Sequence, residues 1–501
     1  MPEHIRALIV ILVLSTLVFA IARRPAYVVT RQRDYIRRRN IWFLITLIAF
    51  LAHNFWVYVF LAGLVLAISL KREPNKCALF FILLFCVPAL TRQVPGFGIV
   101  NYFLDLSHQR LLILVILMPA FLVLAGKANT VSFGRLLPDK ILALYLLLTV
   151  ILYSRDVSIT DTLRQVVYQF IDVFLPYFVI SRSLDKISKM REAMLSFLLA
   201  VMILAAIASF EILRHWLLYQ ALEDAMGLKS RFSGYGARSG LLRASASVGQ
   251  IPLGYLMAIG IGFFLYLKRF ISSTLLRNLG ILLLLAGLVA PVSRGPWVGA
   301  LFLITVFILT GRQVTLHLSK LLLAGVLGLL LLSVSPVGER VMNLIPYYGE
   351  TERGNITYRE TLIENSLIVI MRHPLFGSTN YLQTREMESM RQGQGIIDIV
   401  NTYLGIALEK GLVGVGLFIG FFASICWGIF RSFRRLPGAN YEEWILGRSL
   451  LASLCGILLI IFTVSSVSII PIVYWSVAGM GVAYMNSLDR SKQARAIEAH
   501  A

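Results

Sequence analysis

The sequence predicts an all-α, polytopic membrane protein with about 12 to 15 transmembrane helices and a large helical periplasmic loop between late spans. Three observations predict this fold class. Of the 501 residues, 58% are hydrophobic and only 15% are charged, whereas soluble domains carry about 25% charged residues. The mean hydropathy of the chain is +0.77. Apolar runs recur from end to end, many of them close to the roughly 20 residues that a helix needs to cross a bilayer.

About thirteen apolar runs can be identified by their length. In order they are approximately Ile5 to Ala22, Ile41 to Leu70, Cys77 to Leu90, Leu111 to Leu124, Ile141 to Tyr153, Val166 to Ile180, Met194 to Leu213, Val248 to Leu267, Ile281 to Val292, Trp297 to Thr310, Leu321 to Ser333, Leu412 to Phe430 and Leu446 to Met485. Two of them contain a polar break, so we expect each to form two shorter spans. The breaks are His53-Asn54 in the second run and Thr463-Val464-Ser465-Ser466 in the last.

The first run resembles a signal peptide, but its charge pattern argues against one. Its N-terminal end carries only Arg6, offset by Glu3, and the strong positive charge of Arg23 and Arg24 follows the run. This pattern favours a retained helix with its N-terminus outside.

Lysine and arginine concentrate in three loops between apolar runs. Arg23 to Arg39 carries seven arginines, and Arg182 to Arg191 and Arg431 to Arg448 carry four basic residues each. Because basic short loops stay in the cytoplasm, we place all three there, and the polar segments Arg214 to Ser247 and Pro336 to Val400 on the periplasmic face. The second run must then enter the bilayer and return, as two helices or as a re-entrant element. The alternative is one long tilted helix with an inverted first loop.

These features divide the chain into three parts. We expect residues 1–190 to form the N-terminal transmembrane helices and residues 191–430 to form a transmembrane core that includes periplasmic segments 214–247 and 336–400. Residues 431–501 form a C-terminal transmembrane hairpin and a cytoplasmic tail. The segment 336–400 carries eight acidic residues and six arginines and is large enough to hold helices that cap a site at the membrane surface.

Charge distribution and missing motifs argue against other function classes. A net charge of +21 would suggest a nucleic-acid binder in a soluble chain, but here the bases lie between apolar runs, where they anchor helix ends in an anionic leaflet. The four cysteines are far apart and form no CxxC pair, so no disulfide or metal framework is implied. The sequence has no GxxxxGK[ST], HExxH or GxSxG motif, which removes the direct support for an ATP-driven pump, a zinc protease of that type or a serine hydrolase.

Three arginines are the strongest candidates for chemistry. Arg294 lies in a short turn between two apolar runs, Arg243 lies at the outer entry to a span, and Arg359 begins a helix in the outer loop. An arginine at a span is costly, and its planar guanidinium pairs with phosphate, so converging arginines at an outer surface suit a lipid-linked pyrophosphate. The alternative is that each only reaches out to lipid phosphates.

Other motifs have a structural and a functional interpretation. His373, in Arg372-His373-Pro374, can serve as a base, or the His-Pro pair can end a helix with Gly377 forming the turn. The GxxxG spacings 295–299 and 416–420 favour close helix packing over a ligand site.

Four segments in order resemble the successive motifs of the O-antigen ligase and polymerase superfamily. They are Arg243 followed by Ser247-Val248-Gly249-Gln250-Ile251-Pro252-Leu253-Gly254, then Ser293-Arg294-Gly295-Pro296-Trp297, then Arg359 leading to His373-Pro374-Leu375-Phe376-Gly377, and Asn401-Thr402-Tyr403-Leu404 with Gly411-Leu412-Val413-Gly414. The resemblance covers roughly Arg243 to Phe418. It implies a metal-independent glycosyltransferase of the bacterial inner membrane that needs no cofactor and uses undecaprenyl-diphosphate-linked glycans on the periplasmic side. It also implies that Arg243 and Arg294, and with them Arg359, hold the diphosphate.

The chain departs from the ligases of this superfamily at one position. Ligases that transfer O-antigen to lipid A carry a His-Asn pair before the last glycine motif, whereas this chain has Val400-Asn401. The departure favours a polymerase, with Asp398 and Glu360 as candidate general bases and Asn401 as a supporting residue.

Two other functions stay open. One is a ligase that transfers glycan to lipid A or protein, and the other is a flippase or exporter of lipid-linked sugars. Membrane lipid is an expected partner in each case, and a chain-length regulator or a flippase is a further expected partner of a polymerase.

Overall fold

The computed structural model of the protein describes residues 1–98, 100–128, 130–228, 235–238, 240–334, 353–392, 395–436 and 441–500. The predicted segments 214–247 and 336–400 therefore lie partly outside the described residues. The chain is 75% helical and has almost no sheet, so the predicted fold class, a polytopic all-α membrane protein, is confirmed.

The helices follow the apolar runs. In the first half they are α1 (Glu3–Val29), α2 (Gln32–Leu51), α3 (Phe55–Leu70), α4 (Lys76–Leu83), α5 (His108–Ala125), α6 (Leu137–Asp156), α7 (Ile159–Ser183), α8 (Ile187–Arg214) and α9 (Gln220–Ala225). In the second half they are α10 (Gln250–Leu267), α11 (Thr274–Val289), α12 (Arg294–Leu309), α13 (Val314–Val334), α14 (Arg353–Arg372), α15 (Arg385–Glu388), α16 (Thr402–Arg434), α17 (Tyr441–Thr463) and α18 (Ile470–His500). Two antiparallel strand pairs complete the elements: β1 (Thr91–Pro95) with β2 (Tyr102–Ser107), and β3 (Ala237–Arg238) with β4 (Leu241–Leu242).

Eight helices among the described residues are long and apolar enough to cross a membrane: α1, α5, α6, α7, α8, α10, α16 and α17. The helices α3, α11 and α12 are apolar but shorter, as is the Val314–Gly328 part of α13. The most buried spans are α8 and α10, which pack against each other. The helices α1, α4 and α11 pack on α8, and α12 and α17 pack on α10, so these two helices form the centre of the bundle.

Both predicted breaks in the long apolar runs are confirmed. At the first, His53 adopts a left-handed φ of 50°, and the Asn54 side chain caps α3 by accepting hydrogen bonds from the backbone N–H of Trp56 (2.8 Å) and Val57 (3.3 Å). At the second, α17 ends at Thr463 and α18 begins at Ile470. Polar residues that can satisfy freed backbone groups therefore mark where each long run divides.

The expectation of a span over Cys77 to Leu90 is wrong. The helix there, α4, ends after eight residues at Leu83, which is about 12 Å of helix, and the chain continues into the β1–β2 hairpin. Every residue from Cys77 to Val87 is buried within the protein. This run is apolar because it lies in the core of the bundle, and hydropathy alone does not separate such a run from a lipid-facing one.

A buried ion-pair network joins two of the three basic loops. Glu73 is fully buried and accepts from Arg37 Nη2 (2.7 Å) and Arg38 Nη2 (2.7 Å). Arg38 also pairs with Glu192 (3.1 Å), and the Asn75 side chain donates to the carbonyl of Lys189 (2.9 Å). The loop 23–39 and the start of α8 therefore lie on the same face of the bundle.

The third basic loop reaches the same face through Glu442. Its carboxylate pairs with Arg191 (3.1 Å) and accepts from the hydroxyl of Tyr266 (2.8 Å). All three basic loops thus meet on one face, which we call the basic face, as their predicted common side requires.

Replacing Glu73 with glutamine is expected to destabilise the fold. The variant leaves the buried Arg38 guanidinium with half of its carboxylate partners, and breaking a buried ion pair costs about 3 to 5 kcal/mol. The apparent Tm of the purified protein in detergent checks this. The control Glu388→Gln, which alters an exposed pair with Arg391, is expected to leave the Tm unchanged; equal shifts in both variants would contradict the role of the network.

Candidate active site

The turn that carries Arg294 is strained. Helix α11 ends at Val289, and Arg294 is the first residue of α12. Between them Val292 adopts a φ of 47°, a conformation that a β-branched residue rarely takes and that must be held by its surroundings. A hydrogen bond between the two helices closes the turn: the Trp297 indole N–H in α12 donates to the carbonyl of Leu288 in α11 (2.8 Å).

Two further arginines hold this turn from the outer segment. Arg243 Nε donates to the carbonyl of Pro291 (3.0 Å), and Arg238 Nη1 donates to the carbonyl of Val292 (3.0 Å). The backbone N–H of Ala244 donates to the carbonyl of Ala290 (3.1 Å). The predicted Arg243 and Arg294 are thus brought together at one turn. Sequence reasoning missed Arg238, whose only signal is its position five residues before Arg243.

Arg359 approaches the same place from the opposite side. Its Nη2 donates to the carbonyl of Thr463 (3.2 Å), the last residue of α17. Thr463 in turn lies against Gly295, where a Cβ would collide with the Thr463 side chain. All three predicted arginines therefore belong to one cluster around the start of α12 and the end of α17, which we call the arginine cluster.

The two GxxxG spacings differ. A Cβ at Gly299 would collide with Ile460 of α17, so the pair 295–299 provides the expected close contact between α12 and α17. At Gly416 and Gly420 no atom of the described residues lies within 4 Å of an added Cβ. The expectation of close packing is therefore wrong for this second pair, whose α16 face meets no neighbouring helix in the described chain.

A buried carboxylate inside α8 holds the loop that leads from Arg243 to α10. Glu211 is fully buried, and its two oxygens accept from the backbone N–H groups of Leu218 (3.1 Å), Ser245 (3.0 Å) and Ala246 (2.9 Å). Ala246 has a φ of 43°, so the carboxylate also stabilises an unfavourable backbone conformation. Sequence reasoning missed Glu211 because it lies near the end of an apolar run with no motif around it.

A cavity of about 940 Å³, lined by both polar and apolar side chains, lies beside the arginine cluster. Gly236, whose carbonyl accepts from the backbone N–H of Arg243 (2.9 Å), forms part of its wall. Its aromatic lining consists of Tyr145, Tyr168, Tyr235, Tyr381, Tyr474 and Trp475. Its ionisable lining consists of Arg110, Asp172, Asp398, Glu409 and Lys410. We call this space the central cavity.

Asp398 lies in the central cavity and is firmly positioned. Its Oδ1 accepts from the hydroxyl of Ser465 (2.5 Å), in the break between α17 and α18. Its backbone N–H donates to the Tyr358 hydroxyl (3.2 Å), which in turn donates to its carbonyl (3.1 Å). Tyr358 directly precedes Arg359, and Ser465 follows Thr463 by two residues. The same two segments of the chain therefore contact both Asp398 and the arginine cluster.

The other predicted residues lie in different surroundings. Asn401 lines the cavity but caps α16, accepting from the N–H groups of Tyr403 (2.9 Å) and Leu404 (3.2 Å). Glu360 is exposed on α14 and does not line the cavity. His373 is exposed just beyond the end of α14, and its carbonyl accepts from the N–H of Gly377 (2.9 Å).

Sequence reasoning also missed an ion pair in the cavity wall. Lys410 Nζ pairs with Glu409 (2.6 Å), and the Tyr153 hydroxyl donates to the same carboxylate (2.6 Å). These residues stand at a kink of α16, where Gly411 has a φ of 65°. Burial, reinforced by Glu409, raises the pKa of Tyr381 to about 12. A tyrosine is protonated at neutral pH even without this shift, so the Tyr381 hydroxyl can donate a hydrogen bond.

Among the described residues, no group of three or more His, Cys, Asp or Glu side chains is arranged to hold a metal ion. The arrangement instead offers guanidinium groups beside a cavity that contains hydroxyl groups, aromatic rings and carboxylates. Such a site can bind a phosphorylated, hydroxyl-rich substrate.

Residues 279–419 match the protein-family model described as O-Antigen ligase. The match includes Arg294, Arg359 and Asp398, and the resemblance inferred from the motifs is thereby confirmed over this range, whereas Arg243 lies before it. No curated protein matches the chain. The chain is therefore similar to the O-antigen ligase family over these 141 of its 501 residues.

Proposed function

We propose that the protein is a glycosyltransferase of the bacterial inner membrane that polymerises undecaprenyl-diphosphate-linked oligosaccharide repeat units on the periplasmic face. Its product is an exopolysaccharide, a capsule or an O-antigen. The observation that carries the proposal is the convergence of Arg243, Arg294 and Arg359 beside a cavity that holds Asp398.

The sidedness of the site follows from the basic face. Arg191, near the start of α8, belongs to that face, and Glu211, near its end, holds the loop that follows Arg243. Twenty residues of helix separate the two by about 30 Å, the thickness of a hydrocarbon core. Because basic loops stay in the cytoplasm, the arginine cluster faces the periplasm.

The arginine cluster suits the donor. Guanidinium groups form paired hydrogen bonds with phosphate oxygens and stay charged at any physiological pH. When the sugar leaves the diphosphate, negative charge grows on the leaving oxygen, and fixed guanidinium groups stabilise that charge more strongly in the transition state than in the ground state. The strained turn at Val292 and the carboxylate of Glu211 keep these groups in place before the substrate arrives.

The central cavity suits the acceptor. Its volume of about 940 Å³ lies at the upper end of the range for ligand sites, and its rings offer faces on which sugars can pack. In the proposed step an acceptor hydroxyl oxygen attacks the anomeric carbon of the donor. The bond between that carbon and the diphosphate oxygen breaks, its electron pair leaves with the lipid diphosphate, and the hydroxyl proton passes to Asp398.

A ligase is the second candidate, and the similarity of residues 279–419 to the O-Antigen ligase family favours it. Against it, the side chain at position 400 is a valine that packs in a small apolar cluster and does not line the cavity. The general base must therefore come from another position, and Asp398 is two residues away.

A reconstitution assay separates the candidates. Purified protein in nanodiscs receives lipid-diphosphate oligosaccharide as the only substrate, with EDTA present, and product length is determined by gel. We expect a ladder of longer glycans. Transfer to added lipid A without a ladder would identify a ligase, and movement of intact substrate across liposome membranes without any product would identify a flippase or exporter and overturn the proposal.

Substitution of the arginines is expected to reduce polymerisation strongly. Arg294→Ala and Arg243→Ala each remove a group that stabilises the leaving diphosphate, so we expect kcat/KM to fall about 10²- to 10³-fold. Lysine variants should also lose activity, because an ammonium group cannot form the planar pair of hydrogen bonds. The matched control is Arg385→Ala, an exposed arginine of the same outer segment; unchanged rates in well-folded Arg294 and Arg243 variants would refute the diphosphate role.

Asp398→Asn tests the general base. The amide keeps the shape of the side chain but accepts no proton, so we expect kcat to fall by about 10² to 10⁴ with little change in KM. Glu364→Gln, an exposed carboxylate on α14, is the matched control. If the loss of kcat appeared in Glu360→Gln instead, the base would be Glu360 and the assignment of Asp398 would be wrong.

A further inference from the structure

A second cavity, of about 560 Å³, opens at the basic face. It lies between the start of α4, the end of α5, the end of α7 and the cytoplasmic part of α18. Its charged lining residues are Lys76, Lys127, Arg182, Asp185, Lys189 and Arg490. We call it the basic cavity.

The charge of the basic cavity is strongly unbalanced. Five cationic side chains line it against one carboxylate, that of Asp185, among the lining residues that the structure describes. Lys189 pairs with Asp185 at 2.8 Å. Each residue of this pair neutralises the other, and Arg182 is neutralised by Asp139. Lys76 and Lys127 therefore provide the positive potential in this concave space, where a bound anion is desolvated and attracted.

Arg182 is built into the floor of the basic cavity. Its side chain is 1% exposed and pairs with the fully buried Asp139 at 2.5 Å, and Asp139 also accepts from the hydroxyl of Tyr177 (2.7 Å). A buried, doubly supported carboxylate holds the guanidinium in one orientation. The floor is therefore preorganised, while Lys76 and Lys127 at the sides keep flexible ammonium groups.

One wall of the basic cavity, formed by α5, is apolar and opens toward the lipid. Ala120, Val123 and Leu124 of α5 line the cavity, and Val123 is about half exposed on the outside of the bundle, next to the more exposed Leu122. A continuous apolar strip thus leads from the basic cavity to the surface that acyl chains cover. A soluble anion would use the cations but not this strip, whereas an amphiphile uses both.

We propose that the basic cavity binds the phosphate-bearing headgroup of an acidic phospholipid from the cytoplasmic leaflet, with an acyl chain along α5. Basic pockets between helices on this side of a membrane suit such headgroups. The site is separate from the arginine cluster, which lies at the other end of the bundle, and it would take a resident lipid of the membrane instead of the glycan donor.

Lipid titration tests the proposal. Full-length protein in detergent is titrated with dioleoyl phosphatidylglycerol, with dioleoyl phosphatidylcholine and with inorganic phosphate, and bound lipid is counted by native mass spectrometry. We expect at least one phosphatidylglycerol to bind about tenfold more tightly than phosphatidylcholine. Because a lysine near an anionic group contributes about a fivefold gain in affinity, Lys76→Gln with Lys127→Gln should weaken that binding about 25-fold.

The matched control carries Arg24→Gln and Arg33→Gln, two exposed arginines of the basic loop that do not line the cavity, and it should bind as the wild type does. The arginine variant Lys76→Arg with Lys127→Arg should keep the affinity, which separates loss of charge from loss of folding. Equal phosphatidylglycerol binding by the glutamine variant and the wild type would overturn the proposal. Displacement of the lipid by millimolar inorganic phosphate would also overturn it, because the site would then bind free phosphate without using the apolar wall.

Discussion

The end of α17 at Thr463 is the constraint on which the candidate site depends. A helix that stops inside an apolar bundle leaves carbonyl groups without intrahelical partners, and these must be satisfied by other parts of the protein. Arg359 donates to the carbonyl of Thr463, and the Thr402 hydroxyl donates to that of Val464 (3.0 Å). Ser465 donates to Asp398. One interrupted helix thereby fixes α14, the start of α16 and the cavity carboxylate relative to one another.

The arginine cluster also depends on hydrogen bonds that hold unfavourable backbone conformations in place. Val292 and Ala246 both have left-handed φ values without being glycine, and each costs about 1 to 3 kcal/mol when unsupported. Arg238 and Arg243 bind the turn around Val292, and Glu211 binds the backbone at Ala246. Such strained backbone conformations persist only where surrounding groups hold them in place. This explains why the buried carboxylate of Glu211 and the guanidinium groups of Arg238 and Arg243 bind the backbone of these two short loops.

The features that could be predicted from the sequence are those that change the local pattern of residues. His53-Asn54 and Thr463 to Ser466 interrupt long apolar runs, and the chain breaks at both. The arginines near spans were identifiable because a charge there is costly. Features set by tertiary contact were not predictable: the run 77–90 is apolar because other helices bury it, Glu211 binds the backbone of a distant loop at Ser245 and Ala246, and Glu409 receives the Tyr153 hydroxyl only when α6 meets α16. The two GxxxG pairs have the same spacing, and only the partner helix, present at 299 and absent from the described residues at 416, distinguishes them.

The two cavities share helices but lie at different ends of them. Helix α7 contributes Gln165 to Val173 to the central cavity and Arg182 to the basic cavity, and α18 contributes Trp475 to the first and Arg490 to the second. About 15 residues separate these contributions on α18, or about 22 Å of helix, so one lipid headgroup cannot occupy both. Because the lysines of the basic cavity do not line the central cavity, we expect changes in the basic cavity to act on the central cavity through the position of the shared helices. Loss of lysines in the basic cavity should therefore leave the chemistry at Asp398 intact unless a bound headgroup determines how α7 and α18 sit against α16.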